Sequence, residues 1–377
     1  MANKQSKIFV ITGEQSGDMN AAGLIRKLYA LNDNIIIKGI GGDYLKSVST
    51  ELLFHYSSVN FVGFSAVIKN YFKIKNVFNS CINYIKSYEP EVILLVDFPG
   101  FNLKFAEKVK RSFRGKIIYY ISPQIWAWHK SRINSIKKNI DEMLVVLPFE
   151  VDFYKNEGMR VYYSGNPLLE NIDNFLKNAV KETKEKPVIS LMPGSREEEF
   201  RRIFPLLAGA VPGLKNKFNA EINLIHSNNI SLAGYRNIIE KHGIKIISPE
   251  NDYGKYNVIY NSDLVITKFG TSSSECAFIG TPFIPVYKAN TINYLIARKL
   301  IKLKYVTMIN IISGREIIKE LIQSDLTGEN IIREADKILT DSEYRNRMTE
   351  ELKNAKDVFY KTEIPERPEN IINKYLI

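Results

Sequence analysis

Short apolar, β-branched runs alternate with helical patterns along almost the whole chain, and that alternation leaves few folds open to it. Runs 7–12, 35–39, 92–96, 116–121, 143–147 and 161–163 read as strands, and 188–192, 222–225, 245–247, 264–267 and 283–286 make a second set. Between them the spacing predicts helices, for example over 21–31 and 102–113. Repeated βαβ units pair their strands in parallel and carry helices on both faces of the sheet. The expected fold class is therefore α/β, with doubly wound, Rossmann-like sheets.

With 377 residues, 45% of them hydrophobic, the chain is long enough to bury two cores. The break between the two strand sets falls at Gly165-Asn166-Pro167, after which a polar, charged stretch leads into the next strand. Two domains, 1–167 and 168–345, are expected to face each other across a cleft. A helical tail over 346–377, interrupted by Pro365 and Pro368, is expected to pack back on the body. No internal repeat or low-complexity segment is evident.

Composition narrows the function classes. The two cysteines, Cys81 and Cys276, stand far apart and in no metal-ligand spacing, which argues against a disulfide framework and a zinc site. The first apolar run is too short for a signal-peptide core. No run reaches the ~18 apolar residues of a membrane span, so a soluble or peripheral protein is expected. The net charge of +11 is concentrated: residues 65–138 carry 14 Lys and Arg against 4 acids. A localised basic field implies an anionic partner, such as a phospholipid surface, a nucleic acid or a phosphorylated substrate.

In doubly wound sheets ligands gather at the carboxyl ends of the strands, so the loops that follow strands hold the candidates. Gly13-Glu14-Gln15-Ser16-Gly17-Asp18 is a glycine turn opening a helix. Gly13, Ser16 and Gly17 there can bring backbone amides close to a ligand, with Asp18 as a helix-start residue. Asp97 ends the most apolar strand, where a carboxylate is costly unless hydrogen-bonded or functional, while Asn102 is placed to cap the next helix. Ser122-Pro123-Gln124-Ile125-Trp126-Ala127-Trp128 holds both tryptophans on a loop after a strand, as a core cap or as part of a site.

In the second half, Pro193-Gly194-Ser195-Arg196, with Glu199 behind it, combines a glycine turn with a guanidinium fork and suits a diphosphate. Gly270, Thr271, Ser272 and Ser273 leave room for phosphate oxygens at a helix start, and Glu275 is placed to accept from ribose hydroxyls. Asn310, before Gly314-Arg315-Glu316, is grouped with them as a residue that closes over the donor. No D-x-D pair, dinucleotide G-x-G-x-x-G, P-loop, G-x-S-x-G, H-E-x-x-H or C-x-x-C occurs. The economical reading is a nucleotide–sugar diphosphate held without metal or other cofactor.

These motifs together resemble lipid-A-disaccharide synthase, a family of GT-B glycosyltransferases. The likeness runs in order through the Gly-Glu-x-Ser-Gly-Asp turn, Gly39-Ile40-Gly41-Gly42, Val62-Gly63-Phe64, Asp97-Phe98-Pro99-Gly100-Phe101-Asn102 and the tryptophan loop. It continues through Leu147-Pro148-Phe149-Glu150, Pro193-Gly194-Ser195-Arg196, Gly270-Thr271 with Glu275, and Gly314-Arg315-Glu316. The resemblance implies an inverting transfer of 2,3-diacylglucosamine from its UDP conjugate to 2,3-diacylglucosamine 1-phosphate (lipid X). The products would be the β-1,6 lipid A disaccharide 1-phosphate and UDP. It implies Asp97 as base for the acceptor 6-hydroxyl, Arg196 for the departing UDP, and Glu275 with the 270–273 turn for ribose and phosphates.

The basic, aromatic stretch 68–86, with Lys69, Lys73 and Lys75, then fits a face on the anionic cytoplasmic side of the inner membrane, and Trp126 and Trp128 would line the acceptor entrance. The sequence departs from the usual family pattern at Gln15, Asn166, Ser273, Ser274 and Ile309. The alternative is another GT-B enzyme acting on UDP-sugars, such as a 2-epimerase or a different lipid-linked sugar transferase. A nucleic-acid module is disfavoured, because the aromatics do not interleave with the basic residues as an RNA-binding sheet requires.

Overall fold

The computed structural model of the chain describes residues 5–59, 69–290, 294, 298 and 303–376. The chain divides into two compact units, one formed by Met1–Pro167 with Thr362–Ile377 and the other by Leu168–Lys361.

Unit one is built on a seven-stranded sheet of β1 (Ser6–Ile11), β2 (Ile35–Gly41), β3 (Glu51–His55), β4 (Val92–Val96), β5 (Lys116–Tyr120), β6 (Glu142–Val145) and β7 (Tyr162–Tyr163). Its order is β3-β2-β1-β4-β5-β6-β7, with every pair parallel. β4, Val-Ile-Leu-Leu-Val, is buried throughout, as a central parallel strand covered on both faces must be. Its side chains alternate between two cores. Ile93 and Leu95 join Phe9 and Ile11 in one, whereas Val92, Leu94 and Val96 join Ile8 and Val10 in the other.

The second of these cores is closed by Ala21, Leu24, Ile25 and Leu28 of α1 (Gln15–Tyr29) and by Ile371 and Ile372 of the short helix Pro368–Asn373. A four-residue helix, α2 (Asp43–Lys46), follows β2. The first core is closed by Val77, Cys81 and Ile85 of α3 (Tyr71–Tyr88) and by Phe101, Phe105 and Val109 of α4 (Pro99–Val109). Phe78 stands edge-on to Phe101 and Phe105, with centroids 5.3 and 5.5 Å away. After β6 comes α5 (Pro148–Asn156), which cuts the expected strand 143–147 short because Pro148 opens its first turn.

Unit two carries a six-stranded parallel sheet of β8 (Val188–Met192), β9 (Glu221–Ile225), β10 (Lys245–Ile247), β11 (Leu264–Lys268), β12 (Phe283–Tyr287) and β13 (Leu321–Ile322), in the order β10-β9-β8-β11-β12-β13. The helices that matter below are α6 (Glu197–Phe218), α7 (Asp252–Tyr260), α8 (Thr271–Ile279) and α9 (Ser342–Lys361). Phe278 of α8 meets Phe359 of α9 edge-on at 5.1 Å, which ties α9 to this unit.

Two strands escape the sequence pattern. β3 is an edge strand with exposed Glu51 and His55 at its ends, and β13 has only two residues. α1 starts six residues before the expected 21–31, because its first turn is the polar Gln15-Ser16-Gly17-Asp18 stretch, which carries no apolar stripe.

Candidate active site

The strand order of unit one reverses between β1 and β4, the switch point where loops diverge and leave room for a ligand. Asp97 leaves β4 there with φ +47°, and Phe98 follows with φ +52°. Left-handed backbone at non-glycine residues costs roughly 1–2 kcal/mol each and persists only where the surroundings impose it. Here the Tyr119 hydroxyl donates to the Asp97 carbonyl at 2.5 Å, and Asn102 Nδ2 donates to the same oxygen at 2.7 Å. The Asp97 amide donates to the Tyr120 carbonyl at 3.0 Å. Asn102 is thus no helix cap; it lies fully buried inside the first turn of α4 and grips the strand end. Tyr119 was not foreseen, because in a run of buried β5 residues its hydroxyl leaves no sequence signal.

Gly13 follows from the same geometry. A Cβ there would lie 2.0–2.4 Å from Phe98 ring carbons, so the glycine and the Asp97-Phe98 pair require each other. Ser16 donates to Glu14 Oε1 at 3.1 Å, and Gly17 has only ordinary contacts around it. Asp18, read as a helix-start residue of α1, caps a different helix. Buried in the first turn of α1, its carboxylate accepts from the Gly42, Tyr44 and Leu45 amides at 2.6, 3.0 and 3.2 Å and so closes α2. Burial raises this carboxyl, and the three amides pull the other way. In the Gly39-Ile40-Gly41-Gly42 motif a Cβ on Gly39 would lie 1.9 Å from the Val10 carbonyl oxygen, one on Gly41 2.6 Å from Leu45 and 2.9 Å from Asp18, and one on Gly42 2.3 Å from Tyr56 and 2.8 Å from Asp18.

The loop after β5 lies beside Asp97. It starts with Ile121 at φ +65°, a backbone that β-branched residues rarely adopt. Glu150, 1% exposed in the first turn of α5, holds this loop. Its Oε1 accepts from Ser122 Oγ at 2.6 Å and from Trp126 Nε1 at 3.0 Å, and its Oε2 from the Leu147 and Val146 amides at 3.0 and 3.3 Å. The two tryptophans therefore differ. Trp126 is half-buried, pinned through its N–H and set edge-on to Phe149 at 4.9 Å. Trp128 is 40% exposed, with the Arg132 guanidinium 5.4 Å from its ring.

The switch point of unit two lies between β8 and β11. Gly194, at φ +127°, admits Glu199, whose Oε2 would lie 2.9 Å from a Cβ at that position. Arg196 precedes α6, and its Nη1 is 3.4 Å from Glu199 Oε1; Ser195 beside it is exposed. The same Glu199 oxygen takes Lys268 Nζ at 2.9 Å. Arg196 and Lys268 thus converge at the ends of adjacent strands, between the N-termini of α6 and α8, where amides and helix dipoles also favour an anion. Lys268 was missed because it falls just past the expected strand 264–267 and before the Gly270 turn; only the pairing of β11 with β8 brings it to Arg196.

At the start of α8, Gly270 has φ +118°, Thr271 is exposed and Ser272 Oγ donates to the Lys268 carbonyl at 3.3 Å. Ser273 is turned inward as a cap, its hydroxyl donating to the Gly270 carbonyl at 2.8 Å. Glu275 is buried one turn on, with Oε1 2.7 Å from Lys255 Nζ of α7 and Oε2 without a hydrogen-bond partner among the described residues. Burial raises its carboxyl and the Lys255 charge offsets part of that. Burial alone would lower Lys255, but Glu275 and Asp252 reverse the effect and keep it protonated.

Asn310 departs from expectation. It is fully buried, its Nδ2 donates to the Ile318 carbonyl and Glu320, and its Oδ1 accepts from the Ile317 and Ile318 amides. Its amide is saturated within unit two and leaves nothing for a nucleotide. Among the described residues no group of three or more His, Cys, Asp or Glu is placed to hold a metal ion, and no helix is long and apolar enough to cross a membrane. Lys69, Lys73 and Lys75 are exposed at the start of α3, beside Tyr71 (54% exposed) and Phe72 (76%). Val62-Gly63-Phe64 and Ile68 lie outside the described residues.

The fold recurs in solved structures. UDP-GlcNAc 2-epimerase from Neisseria meningitidis bound to UDP-GlcNAc superposes with a TM-score of 0.63 over 98% of both chains at 12% identity. CalG4, the calicheamicin glycosyltransferase, superposes with a TM-score of 0.61 over 99% of this chain and 98% of that one at 11% identity. At such identities the likeness carries the fold alone, and that fold is the GT-B class of two parallel α/β sheets. The family model described as lipid-A-disaccharide synthetase matches residues 8–370. The lipid-A-disaccharide synthase of Nitrosococcus oceani is 33% identical over 359 residues, spanning 92% of this chain and 91% of that protein. The chain belongs to the lipid-A-disaccharide synthase family, and it is a glycosyltransferase. The epimerases of similar fold do not favour the alternative reading.

Proposed function

We propose that this chain joins two acylated glucosamines by inverting transfer, with UDP-2,3-diacylglucosamine as donor and 2,3-diacylglucosamine 1-phosphate (lipid X) as acceptor. The observation that carries this reading beyond family membership is the convergence of Arg196 and Lys268 on one carboxylate between two helix N-termini. Two cations beside two helix N-termini at adjacent strand ends suit a diphosphate leaving group, whose charge grows as the glycosidic bond breaks. Gly194 and Gly270 let the backbone approach it, Ser195, Thr271 and Ser272 offer hydroxyls and amides, and Glu275 Oε2 is the acceptor for a ribose hydroxyl.

In unit one, Asp97 acts as general base. Its carboxylate takes the proton of the acceptor 6-hydroxyl as that oxygen attacks the donor anomeric carbon from the face opposite UDP. The carbon–oxygen bond to UDP breaks and its electron pair leaves on the β-phosphate, which Arg196 and Lys268 stabilise. Products are the β-1,6 disaccharide 1-phosphate and UDP. The pinned Asp97 carbonyl fixes where the carboxylate starts, so no reorganisation is needed when the acceptor arrives.

The exposed Tyr71 and Phe72, flanked by Lys69, Lys73 and Lys75, support a peripheral seat on an anionic membrane surface, the cytoplasmic face of the inner membrane in this reading. The testing experiment is UDP release by the purified protein in mild detergent with this donor and acceptor, beside Asp97→Ala. Turnover in the parent and a drop of at least ~1000-fold in the variant is expected. Turnover unaffected by the substitution would remove Asp97 from the chemistry.

A further inference from the structure

Glu150 belongs to a motif to which the reaction gives no work, Leu147-Pro148-Phe149-Glu150. Its carboxylate is nonetheless the most heavily engaged of the buried acids in unit one, with four donors on two oxygens. Two of these donors, the Leu147 and Val146 amides, belong to the turn between β6 and α5. The other two, Ser122 Oγ and Trp126 Nε1, belong to the loop that leaves β5.

That loop needs holding. Ile121 at its start is in a left-handed conformation disfavoured for a β-branched residue, and His129 near its end is left-handed too, at φ +56°. The loop also abuts the candidate base: β5 pairs with β4 up to Val96 and Tyr120, and the Asp97 amide donates to the Tyr120 carbonyl.

We infer that Glu150 is a positioning residue that fastens the Ser122–Trp126 loop against the end of β4 and thereby sets how tightly the acceptor is held beside Asp97. This rests on the reading of Asp97 as the acceptor's base. The carboxylate does no chemistry itself, being buried beneath the loop. It ties the loop to the turn that follows β6, so that Trp126 and the exposed Trp128 are presented in one fixed place. Burial pushes the Glu150 carboxyl up to about 7 against the four hydrogen bonds, so the site spends stability to keep an acceptor where an apolar side chain would pack without strain.

The test compares the parent enzyme with Glu150→Leu and Glu150→Gln. A KM-against-kcat split for the acceptor and UDP affinity by calorimetry are the functional readouts. A structural readout uses Trp128→Phe as background, which leaves Trp126 as the only tryptophan, so that acrylamide quenching reports the loop. The leucine variant is expected to raise the acceptor KM about 10-fold or more, with kcat within about 3-fold and UDP affinity unchanged, and to make Trp126 markedly more quenchable. The glutamine variant, which keeps one oxygen for Ser122 and Trp126, should recover most of the acceptor affinity.

Should Glu150→Leu not fold, Ser122→Ala and the Ser122→Ala/Glu150→Gln pair carry the test, with effects on acceptor KM that are not independent of one another. An acceptor KM within 2-fold of the parent in a variant whose Trp126 is freed overturns the inference. So does a uniform fall in kcat, acceptor binding and UDP binding, which would mark a merely structural residue. A parent enzyme that fails to turn over this substrate pair overturns the functional reading, and this inference with it.

Discussion

At Gly194 a missing side chain lets Glu199 close in, and that one carboxylate then gathers two cations, Arg196 and Lys268. Binding a diphosphate would let the cations exchange a carboxylate oxygen for phosphate oxygens. Lys268→Ala should therefore weaken UDP binding about 10-fold by calorimetry at low salt, and the difference should shrink as salt rises. An unchanged UDP affinity would mean that Lys268 serves only Glu199. Gly13 makes a second residue-scale case. Gly13→Ala places a methyl inside the Phe98 ring, which already stacks on Phe101, and is expected to cost about 1–3 kcal/mol in urea unfolding. A loss below ~0.5 kcal/mol would show that Phe98 can swing away without disturbing its neighbours.

At the scale of elements, α3 and α5 do different work. The first turn of α3 exposes Tyr71 and Phe72 among lysines, an arrangement suited to a lipid surface. Lys69→Glu/Lys73→Glu/Lys75→Glu should lose binding to vesicles rich in anionic lipid while keeping UDP affinity; equal flotation of variant and parent would dismiss the membrane seat. The N-terminal turn of α5 carries Glu150, whose carboxyl burial raises from 4.5 to about 7 against the hydrogen bonds from Ser122, Leu147, Trp126 and Val146, and whose charge in turn raises the Tyr154 hydroxyl. Between those values the native protein keeps a proton that the unfolded chain has lost. Stability from this group therefore falls as pH rises through 4.5–7 and is lowest above about 7. Urea midpoints measured from pH 5 to 8 should decline less steeply for Glu150→Gln than for the parent. Parallel curves would show that Glu150 titrates no differently in the two states.

For the whole molecule, the chain's return to unit one after α9 is the decisive feature. The segment from Thr362 on brings Ile371 and Ile372 into the core beneath β1 and β4, more than 270 residues along the chain from either strand. Ile372→Ala should lower stability by about 2–5 kcal/mol, read as a shift in the urea midpoint of unit one, whereas UDP binding by unit two should persist. A shift under ~1 kcal/mol would show that the terminal helix is only draped over that core.

The sequence alone determined the βα alternation, the parallel sheets and the loops that end β1, β4, β5, β8 and β11, because period-2 and period-3.6 patterns and glycine turns are local properties of the chain. The places of Asp97, at the end of apolar β4, and of Arg196, past the glycine turn after β8, were legible for the same reason. What Asp18, Tyr119, Glu150, Lys268 and Asn310 do was not legible. Each makes its bonds to residues that are distant in sequence or to amides whose direction only the fold sets, so the tertiary structure decided which polar groups serve the architecture and which remain open to a ligand.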